Sequence, residues 1–280
     1  MKIQSPLTGS YNVKKVQEIK TDFIVKNYQE MLGVDVRKYF KNIDTLEVYE
    51  CLDSGYRFYY PFNITGNGKF YEELQKNSWY YMNWKWEHEE ALKECAGAKS
   101  VLEIGCAQGE FLGKIKAKGI NCTGLELNAH AAGKAREKGL NVLEEMAQVH
   151  AQKNKEKYDV VCSFQVMEHI APIGEFIQAS VDALKPGGKL IISVPNNDSI
   201  VFKTDDVAIL NMPPHHMGLW NLNSLLSLQR LFPLRMEHVY LEPLQSYHAT
   251  FAKKVAEKIF LEKLERKHLS WIPFIKIVGS

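Results

Sequence analysis

VLEIGCAQGE, residues 101–110, runs from an apolar stretch into an acid and then through glycine toward a helix. Val101 to Ile104 read as a buried parallel strand, Gly105 allows a sharp backbone turn, and Gly109 opens a segment, 111–116, with helical apolar spacing. Strand, glycine turn and helix in that order make a nucleotide-type binding loop. Outward from it the alternation continues. Strands are expected over 120–125, 141–143 and 158–164, and helices over 129–138, 144–152 and 173–184. Lys185-Pro-Gly-Gly188 should stop the last helix and turn the chain into a strand over 189–194. This order predicts an α/β fold, a doubly wound, mostly parallel sheet with helices on both faces. Ligands of such sheets sit beyond the carboxyl ends of the strands, where Glu103, Glu126, Gln165 and Asn196 fall.

The loop chemistry narrows the ligand. A dinucleotide site uses G-x-G-x-x-G so that backbone amides and a helix dipole hold a pyrophosphate. Here Ala107 and Glu110 stand at the second and third glycine positions. A carboxylate in the first helical turn repels two phosphates, whereas a ligand carrying a sulfonium and an ammonium gains from acids such as Glu103. The loop therefore suits S-adenosylmethionine rather than NAD. The second strand ends in Glu126, 23 residues after Glu103, where an acid can accept both ribose hydroxyls. Cofactor contacts are assigned to Glu103, Gly105, Cys106, Ala107, Gly109, Glu126, Leu127 and Gln165.

Four pieces in order, LEIGCAQG, GLELN, YDVVCSFQVMEHI and LKPGGKLIISVPN, make the chain resemble class I S-adenosylmethionine-dependent methyltransferases over about residues 96–245. The resemblance implies a Rossmann-like catalytic domain with that cofactor and S-adenosylhomocysteine as product. Ala107 departs from the frequent family glycine by one methyl group. No metal is expected.

Length and charge agree with this. At 280 residues and 45% apolar content the chain can build one large domain and a smaller cap. A net charge of +2 argues against a nucleic-acid partner. Five cysteines, Cys51, Cys95, Cys106, Cys122 and Cys162, read as buried hydrophobes in a reducing compartment. Without an apolar leader or an 18-residue apolar run, a soluble cytoplasmic protein is expected, acting on a small-molecule or glycan acceptor, with homo-oligomers allowed.

The domains are expected at 1–62, a small N-terminal module; 63–95, an aromatic and helical lid; and 96–280, the catalytic domain. Between Tyr56 and Trp86 there are 12 aromatics in 31 residues, against 11% overall, so some rings should face a ligand. Tyr80 and Tyr81 are the cofactor candidates, because a phenol can reach the methionine carboxylate; Trp84 and Trp86 read as packing. Ser5-Pro-Leu-Thr8 and Cys51-Leu-Asp-Ser54 resemble the two Cys-x-x-Cys pairs of a zinc knuckle in a methyltransferase subfamily, with three thiols replaced. Ser, Thr and one Cys should not hold zinc, so a metal-free relic is expected.

Methyl transfer to a hydroxyl needs the acceptor held in line and a proton removed. Histidine is the usual base. His169, after the fourth strand, and His215 and His216, in the Pro213-Pro-His-His loop, are the candidates, with Glu168, Asn196 and Trp220 on the acceptor side. His216 is favoured, because FQVMEHI and NMPPHHMGLW, with four residues from His216 to Trp220, resemble the same subfamily, many of whose members sit beside sugar and polysaccharide genes. The resemblance implies O-methylation of a sugar, nucleotide sugar or glycan; N- or C-methylation of an amino or keto sugar, O-methylation of a quinone-like phenol, and a catalytically silent scaffold are the alternatives. Residues 251–268 form an amphipathic pattern with six Lys/Arg against three Glu, read as a packed helix rather than a membrane-surface one. Residues 271–278 read as a last strand, an edge because of Pro273.

Overall fold

A computed structural model describes residues 2–77, 80, 82–199, 202, 207–243, 245 and 273–279. The N-terminal part contains β1 (Val13–Lys20), α1 (Thr21–Leu32), β2 (Thr45–Cys51) and β3 (Arg57–Tyr60), then α2 (Gly68–Leu74) and α3 (Trp86–Glu94). The binding-loop strand is β4 (Ser100–Ile104), followed by α4 (Glu110–Ala117), β5 (Asn121–Leu125), α5 (Ala129–Glu137), β6 (Val142–Leu143), α6 (Ala147–Lys153), β7 (Tyr158–Phe164), α7 (Ile173–Asp182) and β8 (Leu184–Ser193). Then come β9 (Gly218–Leu219), two short helices at Leu222–Leu226 and Leu228–Leu231, β10 (Leu234–Leu241) and β11 (Pro273–Gly279).

The main sheet runs β10-β11-β8-β7-β4-β5-β6. Its five strands β8 to β6 are parallel, as a strand–helix alternation requires, and β10 and β11 add an antiparallel edge. Val101 to Ile104 are all buried because helices cover both faces; α4 covers one with Phe111, Leu112 and Ile115. This is the doubly wound Rossmann-like fold expected.

Several boundaries differ for physical reasons. Leu184 already pairs with Tyr158, and Lys189 with Val160, so Lys185 to Gly188 bulge out of a continuous β8 instead of turning into it. Helix α6 starts at Ala147 rather than 144, with Met146 in extended backbone as its cap. The stretch from Leu222 to Leu231 is broken at Ser227 into its two short helices. Strand β11 lies between β8 and β10, not at the edge, and Pro273 is accommodated at its first position, opposite Leu241. The C-terminal helix expected over 251–268 lies outside the described residues, as does Trp271.

A second sheet, β1-β2-β3-β9, is antiparallel and takes its last strand from the chain after β8, pairing Phe58 with Gly218. Its core joins Ile24, Tyr28, Phe70 and Leu74 to Ile209, Met217 and Leu219. The N-terminal module and the loop after β8 are thus one packed unit. No described helix is long and apolar enough to cross a membrane. All five cysteines are buried and free.

Candidate active site

A cavity of about 790 Å³ opens beyond the carboxyl ends of β4, β5 and β7, and residues in and between α2 and α3, among them Tyr71, Gln75, Tyr80, Asn83 and Glu87, line part of it. Strand β4 brings Glu103 and Gly105 to its wall and β5 brings Glu126. Gly105 has φ +77°, and a Cβ there would run into the Val166 side chain, so a bare backbone is required. Ala107 adopts φ +46°, the conformation glycine would take more easily. That turn is held by Glu126, whose carboxylate accepts from Ala107 N at 2.9 Å and Asn128 N at 2.8 Å. Burial raises the Glu126 pKa, against the pull of the Asn128, Ala107 and Leu127 N–H groups. Glu103 is 4% exposed, and its Oε2 has no hydrogen-bond partner among the described residues. Burial holds this carboxyl well above its usual range, partly offset by the Leu112 N–H, and the nearby Glu126 charge adds to the shift. An orphaned buried carboxylate oxygen, a glycine turn no Cβ could enter and a strand-terminal acid fit S-adenosylmethionine. Glu103 and Glu126 are the residues that would hold the cofactor's positive end and its ribose hydroxyls.

The opposite wall carries the histidines. A 3-10 turn at Met167–His169 presents Glu168 and His169, and the 209–217 loop presents His215 and His216. The two segments are tied by the Met217 N–H donating to the Glu168 carbonyl at 2.7 Å. The three rings form one cluster, with centroids 4.5 to 4.9 Å apart and His215 stacked on His216. Each Nδ1 meets an oxygen that can only accept, and so carries the proton. The partners are the His215 carbonyl for His169 (2.6 Å), the Leu210 carbonyl for His215 (2.7 Å) and Asn211 Oδ1 for His216 (3.0 Å). His215 Nε2 then accepts from the Tyr80 hydroxyl at 2.7 Å. Burial drives all three below the ordinary imidazole range, His169 to about 4 despite the His215 and Gln165 carbonyls, and His215 and His216 well below. They are neutral at pH 7. Glu168 is 1% exposed, burial pushes its carboxyl up to about 8, and its Oε2 is without a partner among the described residues.

Of the residues assigned from sequence, Glu103, Gly105, Cys106, Ala107, Glu126, Leu127, Gln165, Tyr80, Glu168, His169, His215 and His216 line the one cavity. Leu127 is at its mouth, 65% exposed. Gly109 lies beneath instead, at φ +78° as the residue before α4, with Leu140 where a Cβ would go. Trp220 is a correction. It is fully buried, its ring 4.5 Å from Tyr56, so it fills the core and does not face an acceptor. Asn196 does not line the cavity either; its Oδ1 accepts from Asp198 N and shapes the turn after β8. Tyr81 lies outside the described residues.

Sequence reasoning missed Lys85, Glu87 and His88 at the start of α3. Glu87 is 1% exposed and lines the cavity, with neither carboxylate oxygen partnered among the described residues. The one available signal was an acid embedded in the aromatic run Trp84-Lys-Trp-Glu-His88. His88 is structural: Nδ1 accepts from Lys85 N, and burial lowers it to about 3. Trp84 and Trp86 pack as expected, against Phe111 and Tyr240. Away from the cavity, Cys51 lies beside Ser5, Thr8 and Ser54. Burial alone would raise its thiol, but hydrogen bonds with Ser54, Thr8 and Ser5 hold it below the ordinary value. Thr8 Oγ1 is 3.4 Å from Cys51 Sγ.

The family model described as "Methyltransferase domain" matches residues 65–257, more than half of the chain. Among curated proteins, the ubiquinone biosynthesis O-methyltransferase of Serratia proteamaculans is 33% identical over 107 residues, which are 36% of this chain and 44% of that protein. That of Cronobacter sakazakii is 32% identical over 107 residues, with the same shares. The chain therefore spans less than half the length of these relatives. A solved SAM-dependent methyltransferase from Archaeoglobus fulgidus superposes with TM-score 0.51 at 21% identity, covering 69% of this chain and 94% of that one. The [4+2]-cyclase SpnF superposes equally, TM-score 0.51 at 16% identity, over 68% of this chain and 78% of that one. These likenesses concern the fold.

Proposed function

The chain belongs to the methyltransferase-domain family, with S-adenosylmethionine as its cofactor, and from that footing we propose that it methylates a hydroxyl group of a sugar, nucleotide sugar or glycan. When bound, the cofactor supplies an electrophilic methyl group on sulfur. The chain's own work is to hold the acceptor oxygen in line, keep water out and take the hydroxyl proton. The observation that carries this reading is the neutral histidine cluster on the wall facing the cofactor loop. In the metal-free cluster His216 takes the proton: Asn211 fixes its Nδ1–H, which leaves Nε2 as the accepting atom. His215 is the weaker candidate because Tyr80 already donates to its Nε2, and His169 is the comparison.

What supports a sugar-like acceptor, beyond the subfamily resemblance, is the polar lining outside the cofactor loop: Thr65, Asn67, Gln75, Asn83, Lys85 and Glu87. Such side chains match a polyhydroxyl ring. The second reading, an aromatic hydroxyl, is supported by the likeness to ubiquinone biosynthesis O-methyltransferases. We read the Ser5, Thr8, Cys51 and Ser54 cluster as a metal-free relic of a knuckle, its hydroxyls occupying the places of three thiols.

The test is transfer from methyl-labelled cofactor to a panel of nucleotide sugars and of catechols. Label should appear on a sugar oxygen. With that acceptor, His216→Ala should lower turnover by about 10²-fold while cofactor affinity stays within a few-fold. Label on catechols alone would replace the sugar reading with the aromatic one. Full turnover in both His216→Ala and His169→Ala would remove histidine from proton transfer.

A further inference from the structure

We propose that His169, His215 and His216 form a binding site for one divalent transition-metal cation of the zinc type on the acceptor wall of the cavity. One ring nitrogen of each lies within 4.8 Å of one from each of the others. Bonds of about 2.0–2.1 Å to a tetrahedral ion set ligand nitrogens roughly 3.4 Å apart, so shifts on the order of an ångström close the cluster.

The arrangement around the rings is what a metal requires. Every Nδ1–H donates to a carbonyl or amide oxygen, on His215, Leu210 and Asn211. An imidazole fixed in that way offers its Nε2 lone pair, and such outer hydrogen bonds orient metal-bound histidines. Burial keeps the rings uncharged, as ligation demands. Three imidazoles leave the fourth tetrahedral position open to an acceptor, and Glu168 Oε1 stands 3.9 Å from His169 Nε2. The Tyr80 hydroxyl, on His215 Nε2, occupies the lone pair an ion would take. Three imidazoles favour zinc, cobalt, iron or nickel over magnesium and calcium, which prefer all-oxygen sites.

The site goes beyond the assignment of a base and is independent of which acceptor is used. With the ion seated, His216 is a ligand. An acceptor hydroxyl on the ion then loses its proton to solvent, its oxygen bonds to the methyl carbon, and the carbon–sulfur bond breaks with its electrons left on sulfur.

The experiment uses the full chain, stripped with a chelator and titrated with Co²⁺ in the absence of cofactor and acceptor. One equivalent should bind with visible d–d bands and no thiolate charge-transfer band, and Zn²⁺ should displace it and raise the melting temperature. His169→Ala and His216→Ala should each weaken Co²⁺ binding at least about 100-fold, whereas exposed His130→Ala and Cys51→Ser should bind as the wild type does. Absence of saturable cobalt binding by the wild type would overturn the site whatever the variants do. So would folded His169→Ala and His216→Ala proteins that bind normally, or a thiolate band that Cys51→Ser removes. Methyl transfer by a protein that binds no cobalt would sink the metal site and leave the imidazole base standing. Cobalt uptake without transfer to any acceptor would do the reverse.

Discussion

Glu126 does two things with one carboxylate: it accepts from the Ala107 and Asn128 N–H groups, so it holds the loop, and it lines the cavity where ribose hydroxyls would sit. Replacing it with alanine removes charge-assisted hydrogen bonds to the ribose and frees the loop. Glu126→Ala should therefore lose about 1.5–3 kcal/mol of cofactor binding, or about 10- to 150-fold in affinity by calorimetry. Unchanged affinity would contradict the assignment. At this scale the acids of the loop were legible because Glu103 and Glu126 end strands, and strand ends are fixed by local apolar patterning. Glu87 was not. Its burial depends on where the lid packs, and an acid beside two tryptophans gives no local hint of that. Trp220 failed in the other direction: position near the histidines suggested a ligand contact, while a large ring amid apolar residues is more often a core residue, here packed at a tilt against Tyr56.

Among the elements, β4, β7 and β8 are pinned at their amino-terminal ends by Asp159. Its carboxylate accepts from the Lys99 and Ser100 N–H groups, from Ser100 Oγ and from Lys185 Nζ, at 2.8 to 2.9 Å. Partial burial pushes its pKa up, but the Lys185 ammonium and the Ser100 and Lys99 donors outweigh this and hold it at about 2. An unfolded aspartate titrates near 3.9. A depressed carboxyl adds stability that is complete above the unfolded value and lost as pH falls through the folded one. Asp159→Asn should thus cost about 1–2 kcal/mol at pH 7, discounted because the side chain is partly solvated. In denaturant titrations the gap from the wild type should narrow below about pH 4 and vanish near 2. A gap independent of pH would show that the carboxylate charge contributes nothing. Lys185 reaches Asp159 from the bulge in β8, so the Lys-Pro-Gly-Gly stretch was legible as a break but not as a bulge: its identity follows from pairing Leu184 with Tyr158 across the sheet. The same holds for β11, whose interior place is set by two long-range pairings no local pattern contains.

At the scale of the whole molecule, residues of the N-terminal part hold the histidine loop that follows β8. The Tyr28 hydroxyl donates to the Met212 carbonyl and the Tyr59 hydroxyl to the Asn211 carbonyl, each at 2.9 Å, while Tyr59 N–H donates to the Met217 carbonyl and Gly66 N–H to that of Pro214. The central parallel sheet and its cofactor loop could be read from sequence because each strand and helix carries its own periodicity. The grip could not, because it joins residues far apart along the chain, 152 positions for Tyr59 and Asn211 and 184 for Tyr28 and Met212. It also gives the aromatic-rich N-terminal region a role in acceptor chemistry through the loop it holds, since Asn211 both receives Tyr59 and orients His216. Removing the Tyr59 hydroxyl takes from the Asn211 carbonyl its donor among the described residues, and removing the Tyr28 hydroxyl leaves the Met212 carbonyl with only the His215 and His216 N–H groups, each change costing about 1–2 kcal/mol. Tyr28→Phe and Tyr59→Phe should each lower the melting temperature by roughly 2–8 °C for a chain of this size. Turnover should fall more than this stability loss explains at a temperature where both variants are fully folded, with cofactor affinity within about twofold of the wild type. The effect should be larger for Tyr59, whose partner Asn211 touches His216 directly. Equal losses of cofactor affinity and turnover would mean that the module supports the fold as a whole and does not position the histidine loop.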